Sequence, residues 1–171
     1  IDSPAETEGL ARSAAPGDKT YLVPAFSGLG APYWDSKATG IICGMTRTTG
    51  QAEVVRAGLD CIAYQITDIV RLMSEASGIP IEELRVDGGP TRNGYLMQFQ
   101  SDMLGIPVSI PESEELSGIG AAYAAGLSVG IYDSQVFRQL GRSSYAPKMP
   151  EEEKALKYQG WIDAVNKVRT N

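Results

Sequence analysis

The sequence predicts an α/β domain in which short strands alternate with helices and pack in layers. Apolar runs bounded by glycine and proline, such as residues 21–26 and 84–86, are typical of strands. Over residues 51–77, apolar side chains recur at spacings of three and four, as they do on one face of a helix. The chain has 171 residues, of which 43% are hydrophobic and 21% are charged, values usual for one globular domain.

Composition removes several classes of function. The formal net charge is -6 and no basic run is present, so we expect no nucleic-acid partner. No apolar run approaches the roughly 20 residues that cross a bilayer. The first residues also lack the basic and apolar segments of a secretion signal. We therefore expect a cytoplasmic protein that does not enter a membrane.

Missing residue types narrow the chemistry. The chain has no histidine, which excludes Ser-His and Cys-His catalytic pairs within it and the commonest zinc ligand. Cys43 and Cys61 each lie in an apolar run, which favours two buried, reduced thiols over a disulfide or a metal site. Neither a P-loop lysine motif nor a G-x-G-x-x-G is present, so the usual phosphate and dinucleotide sites are not predicted.

A short helix is predicted near the start of the chain. Ser3 and Glu6 have the spacing of a capping box, and Pro4 lies at the position where a first helical residue would stand. These signals predict a helix over residues 4–13.

Two strands and a connecting loop are predicted next. The strands cover residues 21–26 and 40–45, and both are bounded by proline or glycine. Between them, residues 27–35 contain two glycines and a proline, which predicts a surface loop. Tyr33 and Trp34 are expected to hold this loop against the protein.

The longest predicted helix covers residues 51–77 and ends at Gly78, a residue suited to a left-handed C-cap. Its apolar stripe is expected to face the core and comprises Val55, Leu59, Ile62, Ile66, Ile69 and Met73. The charged residues on other faces are expected to be solvated, namely Arg56, Asp60, Asp68, Arg71 and Glu75. Arg71 and Glu75 also have the spacing of a helical ion pair.

A second helix is predicted over residues 93–104, with Leu96, Phe99 and Met103 on its core face. The strand that follows, residues 105–111, is bracketed by prolines. Because proline cannot donate to a neighbouring strand, an edge position or the start of a strand is expected in preference to a central position.

The last part of the chain gives weaker signals. An acidic loop over residues 112–115 precedes a helix over 117–126, whose glycines and alanines allow neighbours to pack closely. One or two helical turns are predicted over 135–140, and a loop over 141–147. A final helix begins at Pro150, with Trp161 beside an apolar face formed by Ala155, Tyr158, Ile162 and Val165.

The strand that begins at Leu84 leads into a candidate nucleotide site. It ends at Gly88 and Gly89, which lack a Cβ and let the backbone approach a flat ligand, and a helix starts just beyond them. A Gly-Gly pair after a strand is also typical of a plain tight turn. From these residues alone, both interpretations stay open.

Longer motifs carry a resemblance to a known family. They are the segment PAFSGLGAPYWD over residues 24–35, the pattern G-x-I-x-G-M from Gly40 with E-V and L-D further on, VDGG with LMQFQSD over 86–102, and GAAYAAG over 120–126. With these motifs the chain resembles the C-terminal part of the FGGY carbohydrate kinases, and the glycerol kinases are the most similar members. Two residues depart from the glycerol kinases, which carry alanine at the position of Pro90 and a second asparagine at that of Gly94.

The resemblance implies a fold. We expect the C-terminal actin-like (ribonuclease-H-like) α/β domain of a two-domain sugar kinase, without its first strands. Within it we expect a leading helix and linker over residues 1–19, a core over 20–130 and a helical tail over 131–171. The helix over residues 118–126 resembles the element at the hinge between the two domains of these kinases.

The resemblance also implies an activity and a site. The whole enzyme would transfer the γ-phosphoryl group of ATP, held with Mg²⁺, to a hydroxyl of a polyol or sugar. This chain would supply the adenine side of the cleft: Gly88 and Gly89 give backbone access to the purine, Pro90 covers it, and Asn93 hydrogen-bonds to it.

Other parts of the reaction are expected from outside this chain. The resemblance implies that the catalytic carboxylate, the phosphate loops and most of the Mg²⁺ site belong to an N-terminal part of the same enzyme. A homo-oligomer is also expected, and the chain alone is expected to be inactive. The alternative hypothesis is a non-catalytic actin-like module that binds nucleotide or regulates, because such a module needs the same Gly-Gly turn.

Overall fold

Helix α2, Gln51–Ser77, is the longest helix in the described part of the chain, and three other helices and one strand pack against it. It begins where the backbone N–H of Gly50 donates to Glu53 Oε2 at 2.9 Å. It ends at Gly78, whose φ of 68° is left-handed, as the sequence predicts. The computed structural model describes residues 1–112, 116–138 and 141–170 of the chain.

Three other helices surround α2. Helix α1, Glu6–Ser13, helix α3, Gly94–Leu104, and helix α5, Glu151–Val168, all contact it. No helix in the described part of the chain combines the length and apolar character needed to span a bilayer.

Helix α1 starts two residues later than the sequence predicts, and its capping box does not form. Ser3 Oγ accepts a hydrogen bond from the N–H of Ala5 at 3.2 Å, whereas the N–H of Glu6 bonds to the carbonyl oxygen of Ser3. Residues 4 and 5 therefore form a turn before the helix. The hydroxyl is used inside that turn and is not a helix cap.

The first sheet has two short strands. Strand β1, Tyr21–Val23, pairs antiparallel with β2, Ile41–Cys43. Both are shorter than predicted. Strand β1 ends before Pro24, which has no N–H for pairing, and β2 ends at Gly44, whose φ is 78°.

The second sheet has three strands, with β4 in the centre. Strand β4, Val108–Pro111, pairs in parallel with β3, Leu84–Arg85, and antiparallel with β5, Arg142–Tyr145. The expectation that β4 would not be central is therefore wrong. Pro107 lies just before its start, which was the other predicted place for a proline, and Pro111 lies at its end, so the N–H groups between them are free to pair. The predicted loop over residues 141–147 is also wrong, since most of it is β5.

Two helical segments lie between β4 and β5 in the chain. Helix α4, Leu116–Ser128, contains the predicted glycine- and alanine-rich stretch, and most of its residues are exposed. A short 3-10 helix, Ser134–Arg138, follows, in agreement with the predicted turn. Most of the predicted acidic loop, residues 113–115, and the end of the predicted turn, residues 139–140, lie outside the described residues.

The core lies between α2, α3, α5 and the strands, and its centre is aromatic. Tyr64 of α2 stacks on Trp161 of α5, with ring centroids 5.3 Å apart, and meets the edge of Phe99 of α3 at 5.5 Å. Trp161 is among the most buried side chains, although the sequence places it beside the apolar face of α5. That face is instead centred on Trp161 and Val165, and the predicted member Ala155 is exposed.

The faces of α2 differ from the prediction. Several charged or polar side chains that point towards the other helices are buried: Glu53, Asp60, Thr67 and Asp68. The side chain of Arg56 is also largely buried, and it donates to the carbonyl oxygen of Ala15 at 2.8 Å. Arg71 lies over the ring of Tyr158, 3.9 Å from its centroid, where a pair with Glu75 was predicted. The expectation of a solvated face is wrong for Arg56, Asp60 and Asp68, which have partners inside the chain, whereas Arg71 and Glu75 are exposed as predicted.

Asp60 is a buried carboxylate at the contact between α2 and α3. It accepts a hydrogen bond from Tyr95 Oη at 2.7 Å. Burial raises the pKa of the Asp60 carboxyl from 3.8 to about 6, although the Tyr95 hydrogen bond and the charges of Lys157 and Arg56 act in the opposite direction.

We expect Asp60→Asn to stabilise the protein by about 1–3 kcal/mol near pH 8 and to have little effect near pH 4. The folded state holds the Asp60 proton more tightly than the unfolded state, so the stability of the natural chain falls as pH rises from 3.8 to about 6. An amide loses no proton in this window. Urea unfolding at both pH values measures the difference, with the exposed Asp2→Asn as a control. Equal effects at the two pH values would contradict the expectation.

Candidate nucleotide site

The turn after β3 is built around Gly88 and a short 3-10 helix. Gly88 has a φ of 88°, a conformation that residues with a Cβ rarely adopt. The 3-10 helix, Gly89–Arg92, follows with Pro90 in its first turn, and the hydroxyl of Thr91 donates to the carbonyl oxygen of Gly88 at 2.7 Å. The turn is therefore held in one shape by its own backbone and by one side chain.

Asn93 ends this turn and caps α3. Its Oδ1 accepts a hydrogen bond from the backbone N–H of Leu96 at 3.0 Å, which is the usual contact of an asparagine N-cap. Its Nδ2 donates to Thr7 Oγ1 at 3.1 Å. An amide nitrogen carries two hydrogens and a carbonyl oxygen has two lone pairs, so the side chain retains capacity for another partner.

Helix α1 is hydrogen-bonded to the residues that end the turn. Glu8 Oε2 accepts a hydrogen bond from the backbone N–H of Gly94 at 2.9 Å, and Glu8 Oε1 accepts one from Arg12 at 2.8 Å. The bond from Arg12, followed by that from Gly94, lowers the pKa of the Glu8 carboxyl. Thr7 and Glu8 are not predicted as site residues from the sequence, because their contacts join positions 86 residues apart and leave no local signal.

A cavity of about 650 Å³ lies between α1 and this turn. One wall comes from the start of the chain and α1, and the apolar floor comes from α2 and α3. Its lining includes Pro4, Thr7, Glu8, Leu59, Ile62, Gly89, Pro90, Arg92, Asn93 and Leu96. Three predicted site residues, Gly89, Pro90 and Asn93, thus line one cavity, and Gly88 immediately precedes them in the chain.

The cavity offers the chemistry of a site for a flat, partly polar ring. Leu59, Ile62 and Leu96 supply apolar surface, and Asn93 supplies an amide at the rim. A Cβ added at Gly89 would meet no atom within 4 Å, so open space adjoins its backbone. Among the residues the structure describes, no group of three or more histidine, cysteine, aspartate or glutamate side chains is placed to hold a metal ion.

A second cavity, of about 420 Å³, lies where α1, α3 and α5 meet. Its charged lining includes Arg12, Arg56, Asp102 and Lys157. Arg56 donates to backbone carbonyl groups of the segment after α1, and Asp102 Oδ1 accepts from the N–H of Lys148 at 2.6 Å. These side chains join elements of the fold, so this cavity is the weaker candidate for a ligand.

A buried carboxylate, Asp68, fixes the loop between β1 and β2. It accepts hydrogen bonds from Tyr33 Oη at 3.0 Å, Tyr158 Oη at 2.5 Å and Trp161 Nε1 at 2.9 Å. Tyr33 therefore holds the loop as predicted. Trp34 does not, because 75% of its surface is exposed.

The loop has a second anchor at its end. Asp35 is buried and accepts hydrogen bonds from the backbone and hydroxyl of Thr170, at 2.6 and 3.0 Å. Thr170 follows α5, so the loop and the end of the described chain are joined.

Comparison with known proteins agrees with the fold. A family model described as the C-terminal domain of the FGGY family of carbohydrate kinases matches residues 2–129. The chain therefore belongs to the FGGY family of carbohydrate kinases, in which it corresponds to the C-terminal, actin-like α/β domain.

Among the members, the chain is similar to glycerol kinases. It is 47% identical to glycerol kinases of Symbiobacterium thermophilum and of Petrotoga mobilis, over 99% of this chain and 34% of each relative. A crystal structure of Plasmodium falciparum glycerol kinase with ADP superimposes with a TM-score of 0.89 at 35% identity, over 100% of this chain and 35% of that one. The chain thus spans about a third of the length of its relatives.

Proposed function

We propose that this chain forms the adenine side of the ATP site in a carbohydrate kinase that phosphorylates glycerol or a related polyol or sugar. The cavity at Gly89, Pro90 and Asn93 carries the proposal, because it unites the predicted residues in a volume suited to a purine nucleoside. The similarity to glycerol kinases, one of them crystallised with ADP, supports both the nucleotide and the class of substrate.

Each residue of the site has a proposed task. Gly88 sets the turn, Gly89 exposes its backbone to the purine, and Pro90 packs on the ring. Asn93 uses its remaining hydrogen-bonding capacity on the purine edge. The apolar floor formed by Leu59, Ile62 and Leu96 excludes water from one side of the ring.

Phosphoryl transfer itself requires groups from outside this chain. The reaction depends chiefly on positioning and on neutralising the charge of the phosphates, for which Mg²⁺ is the usual ion. We propose that the catalytic carboxylate and the Mg²⁺ site come from the rest of the kinase. Helix α4 would lie at the hinge between the domains, and the assembled enzyme would be a cytoplasmic homo-oligomer.

The test uses this chain alone and a chimera in which it replaces the matching third of the S. thermophilum glycerol kinase. The chimera is expected to phosphorylate glycerol with ATP, whereas the chain alone is expected to show no turnover above a mock purification. A folded chimera that binds ATP without turnover on glycerol, xylulose, gluconate or erythritol would favour a non-catalytic nucleotide-binding module.

Asn93→Ala in the chimera is expected to raise the KM for ATP by roughly fivefold to tenfold, because a neutral hydrogen bond contributes about 1 kcal/mol. The kcat is expected to stay nearly constant, since the purine lies away from the transferred group. The lost cap of α3 should also lower stability by about 1 kcal/mol.

Asn93→Asp separates these two roles. Aspartate caps a helix as well as asparagine but cannot donate a hydrogen bond, so the KM for ATP should rise. The melting temperature should fall less than in Asn93→Ala, because the cap is kept and only the hydrogen bond from Nδ2 to Thr7 is lost. A lowered melting temperature for Asn93→Ala, with KM for ATP unchanged in both variants, would leave Asn93 as a cap only.

A further inference from the structure

Asn93 and Gly94 form the only Asn-Gly pair in the sequence. Asparagine is a chemically labile residue, because its side-chain amide can be lost as ammonia when the backbone nitrogen of the next residue attacks it. Glycine as the next residue hinders this attack least, since it has no Cβ. Asn166 precedes Lys167 and lacks this feature, so Asn93 is the reactive internal asparagine of the chain.

The fold holds both reacting groups. Asn93 Nδ2, the atom that would leave, donates a hydrogen bond to Thr7 Oγ1 at 3.1 Å. The backbone nitrogen of Gly94, the atom that would attack, donates its hydrogen to Glu8 Oε2 at 2.9 Å. Asn93 Oδ1 is also held, because it accepts from the N–H of Leu96. The reaction consumes both donors, so it must break the hydrogen bonds to Thr7 and Glu8.

We propose that Asn93 is a site of spontaneous deamidation, and that Thr7 and Glu8 of α1 slow it by holding the groups that react. In the first step the nitrogen of Gly94 loses its proton and forms a bond to Cγ of Asn93. The bond from Cγ to Nδ2 breaks, and Nδ2 takes up a proton and leaves as ammonia. Water then opens the five-membered succinimide ring. Cleavage of the new bond to Cγ gives aspartate, and cleavage at the backbone carbonyl carbon gives isoaspartate.

Glu8 is placed to hold the Gly94 N–H and is poorly suited to remove its proton. A charged acceptor binds an N–H more strongly than a neutral one does. The hydrogen bond from Arg12, followed by that from Gly94, lowers the pKa of the Glu8 carboxyl, which makes it a weak base. We therefore expect loss of Glu8 to speed the reaction.

Helix α1 controls how long this protection lasts. With eight residues, α1 is too short to be stable without its packing on α2 and α3. Local opening of such an element costs less free energy than unfolding of the whole chain. It would release Thr7 and Glu8 from the turn, and Asn93, which is half-buried and lines the cavity, would then be open to water.

Peptide mass spectrometry of the chain, incubated in mildly alkaline buffer, tests the proposal, and enzymatic methylation identifies isoaspartate. Glu8→Ala is expected to speed the deamidation of Asn93 about tenfold, and Thr7→Val roughly fivefold, because a charged and a neutral hydrogen bond are lost. Glu6→Ala is the matched control, since Glu6 carries the same charge on the same helix, is exposed and lies outside the cavity lining. Asn166, which is exposed on α5, reports the general rate.

A further variant tests the attacking nitrogen. A Cβ at Gly94 would lie 3.1 Å from Glu8 Oε1, so Gly94→Ala is made in the Glu8→Ala variant, where that atom is absent. The added methyl group is expected to remove the acceleration. The unsubstituted chain in urea gives the rate without protection, and circular dichroism shows whether each variant is folded. If Glu8→Ala unfolds, Thr7→Val, which changes no charge, decides the test.

Two results would overturn the proposal. In one, folded Glu8→Ala and Thr7→Val deamidate at the rate of Glu6→Ala. In the other, Glu8→Ala deamidates more slowly than the unsubstituted chain, which would make Glu8 a base that promotes the reaction.

The deamidation itself is independent of the nucleotide, whereas its consequence for ATP rests on the proposed function. The aged chimera is expected to show the raised KM for ATP of Asn93→Asp, in proportion to the fraction of Asn93 converted. Conversion of Asn93 without a change in KM would remove Asn93 from the nucleotide site and leave the deamidation in place. The two proposals can therefore fail separately.

Discussion

Replacing Asp68 with alanine is expected to lower the free energy of unfolding by about 3–5 kcal/mol. Asp68 is buried and accepts hydrogen bonds from Tyr33, Tyr158 and Trp161, which belong to a loop and to α5. Without the carboxylate, three donors would remain unpaired in a site that water reaches poorly. Each such donor costs about 1–3 kcal/mol.

The effect should extend beyond α2, because Asp68 joins separate elements. Burial and then the nearby Asp68 charge raise the pKa of Tyr33, and burial and the hydrogen bond to Asp68 raise that of Tyr158. Both hydroxyls therefore stay protonated as donors. Loss of the carboxylate is expected to loosen the loop of residues 27–35 as well as α5.

Urea unfolding of the isolated chain or of the chimera measures the change. Asp163→Ala is the matched control, because the hydrogen bond that its carboxylate accepts from Gln159, on the same helix, is exposed. Tyr158→Phe removes one of the three hydrogen bonds to Asp68 without leaving a donor unpaired, and it should lower the free energy of unfolding by about 1 kcal/mol. If Asp68→Ala is no more destabilising than Asp163→Ala, the three hydrogen bonds do not stabilise the fold as argued.

The elements with strong local signals could be predicted from the sequence. Helix α2 has its predicted ends, because periodicity extends over 27 residues and a glycine stops it. Helix α3 and its core residues Leu96, Phe99 and Met103 are also confirmed. The α/β class followed from the alternation of such elements.

The predictions that were wrong depend on contacts between residues that are distant in the sequence. Asp60 and Asp68 are buried because hydroxyl and indole groups donate hydrogen bonds to them. These donors are separated from them by 35 to 93 residues in the sequence. A pattern based on hydropathy predicts that carboxylates are exposed to solvent. It therefore predicted the wrong side of α2 to face the core. Strand β5 was missed for the same reason, since its pairing with β4 is absent from its own polar sequence.

Gly88, Gly89, Pro90 and Asn93, the residues that the resemblance assigns to the nucleotide, form one continuous turn, and three of them line the cavity. Their contact with a nucleotide stays a prediction. The other wall, with Thr7 and Glu8 of α1, was not found. Its residues are ordinary surface residues of a short helix, and only the fold places them opposite the turn.

Replacing Gly89 with valine in the chimera is expected to weaken ATP binding at least about thirtyfold, or roughly 2 kcal/mol, with little loss of stability. Gly89 has no unusual φ, and an added Cβ would meet no protein atom within 4 Å. The fold therefore tolerates the side chain. A purine that lies against the Gly89 backbone would be excluded, because the branched valine side chain would occupy the same space.

Calorimetric titration with ATP and thermal unfolding, measured on the same samples, test this expectation. Gly17→Val is the matched control, because Gly17 is exposed, also has no atom within 4 Å of an added Cβ, and lies outside the cavity lining. ATP affinity should be unchanged in Gly17→Val. A Gly89→Val variant that keeps the affinity of the unsubstituted chimera would remove the Gly88–Asn93 turn from the nucleotide site, whereas a lowered melting temperature with unchanged affinity would assign Gly89 a structural role only.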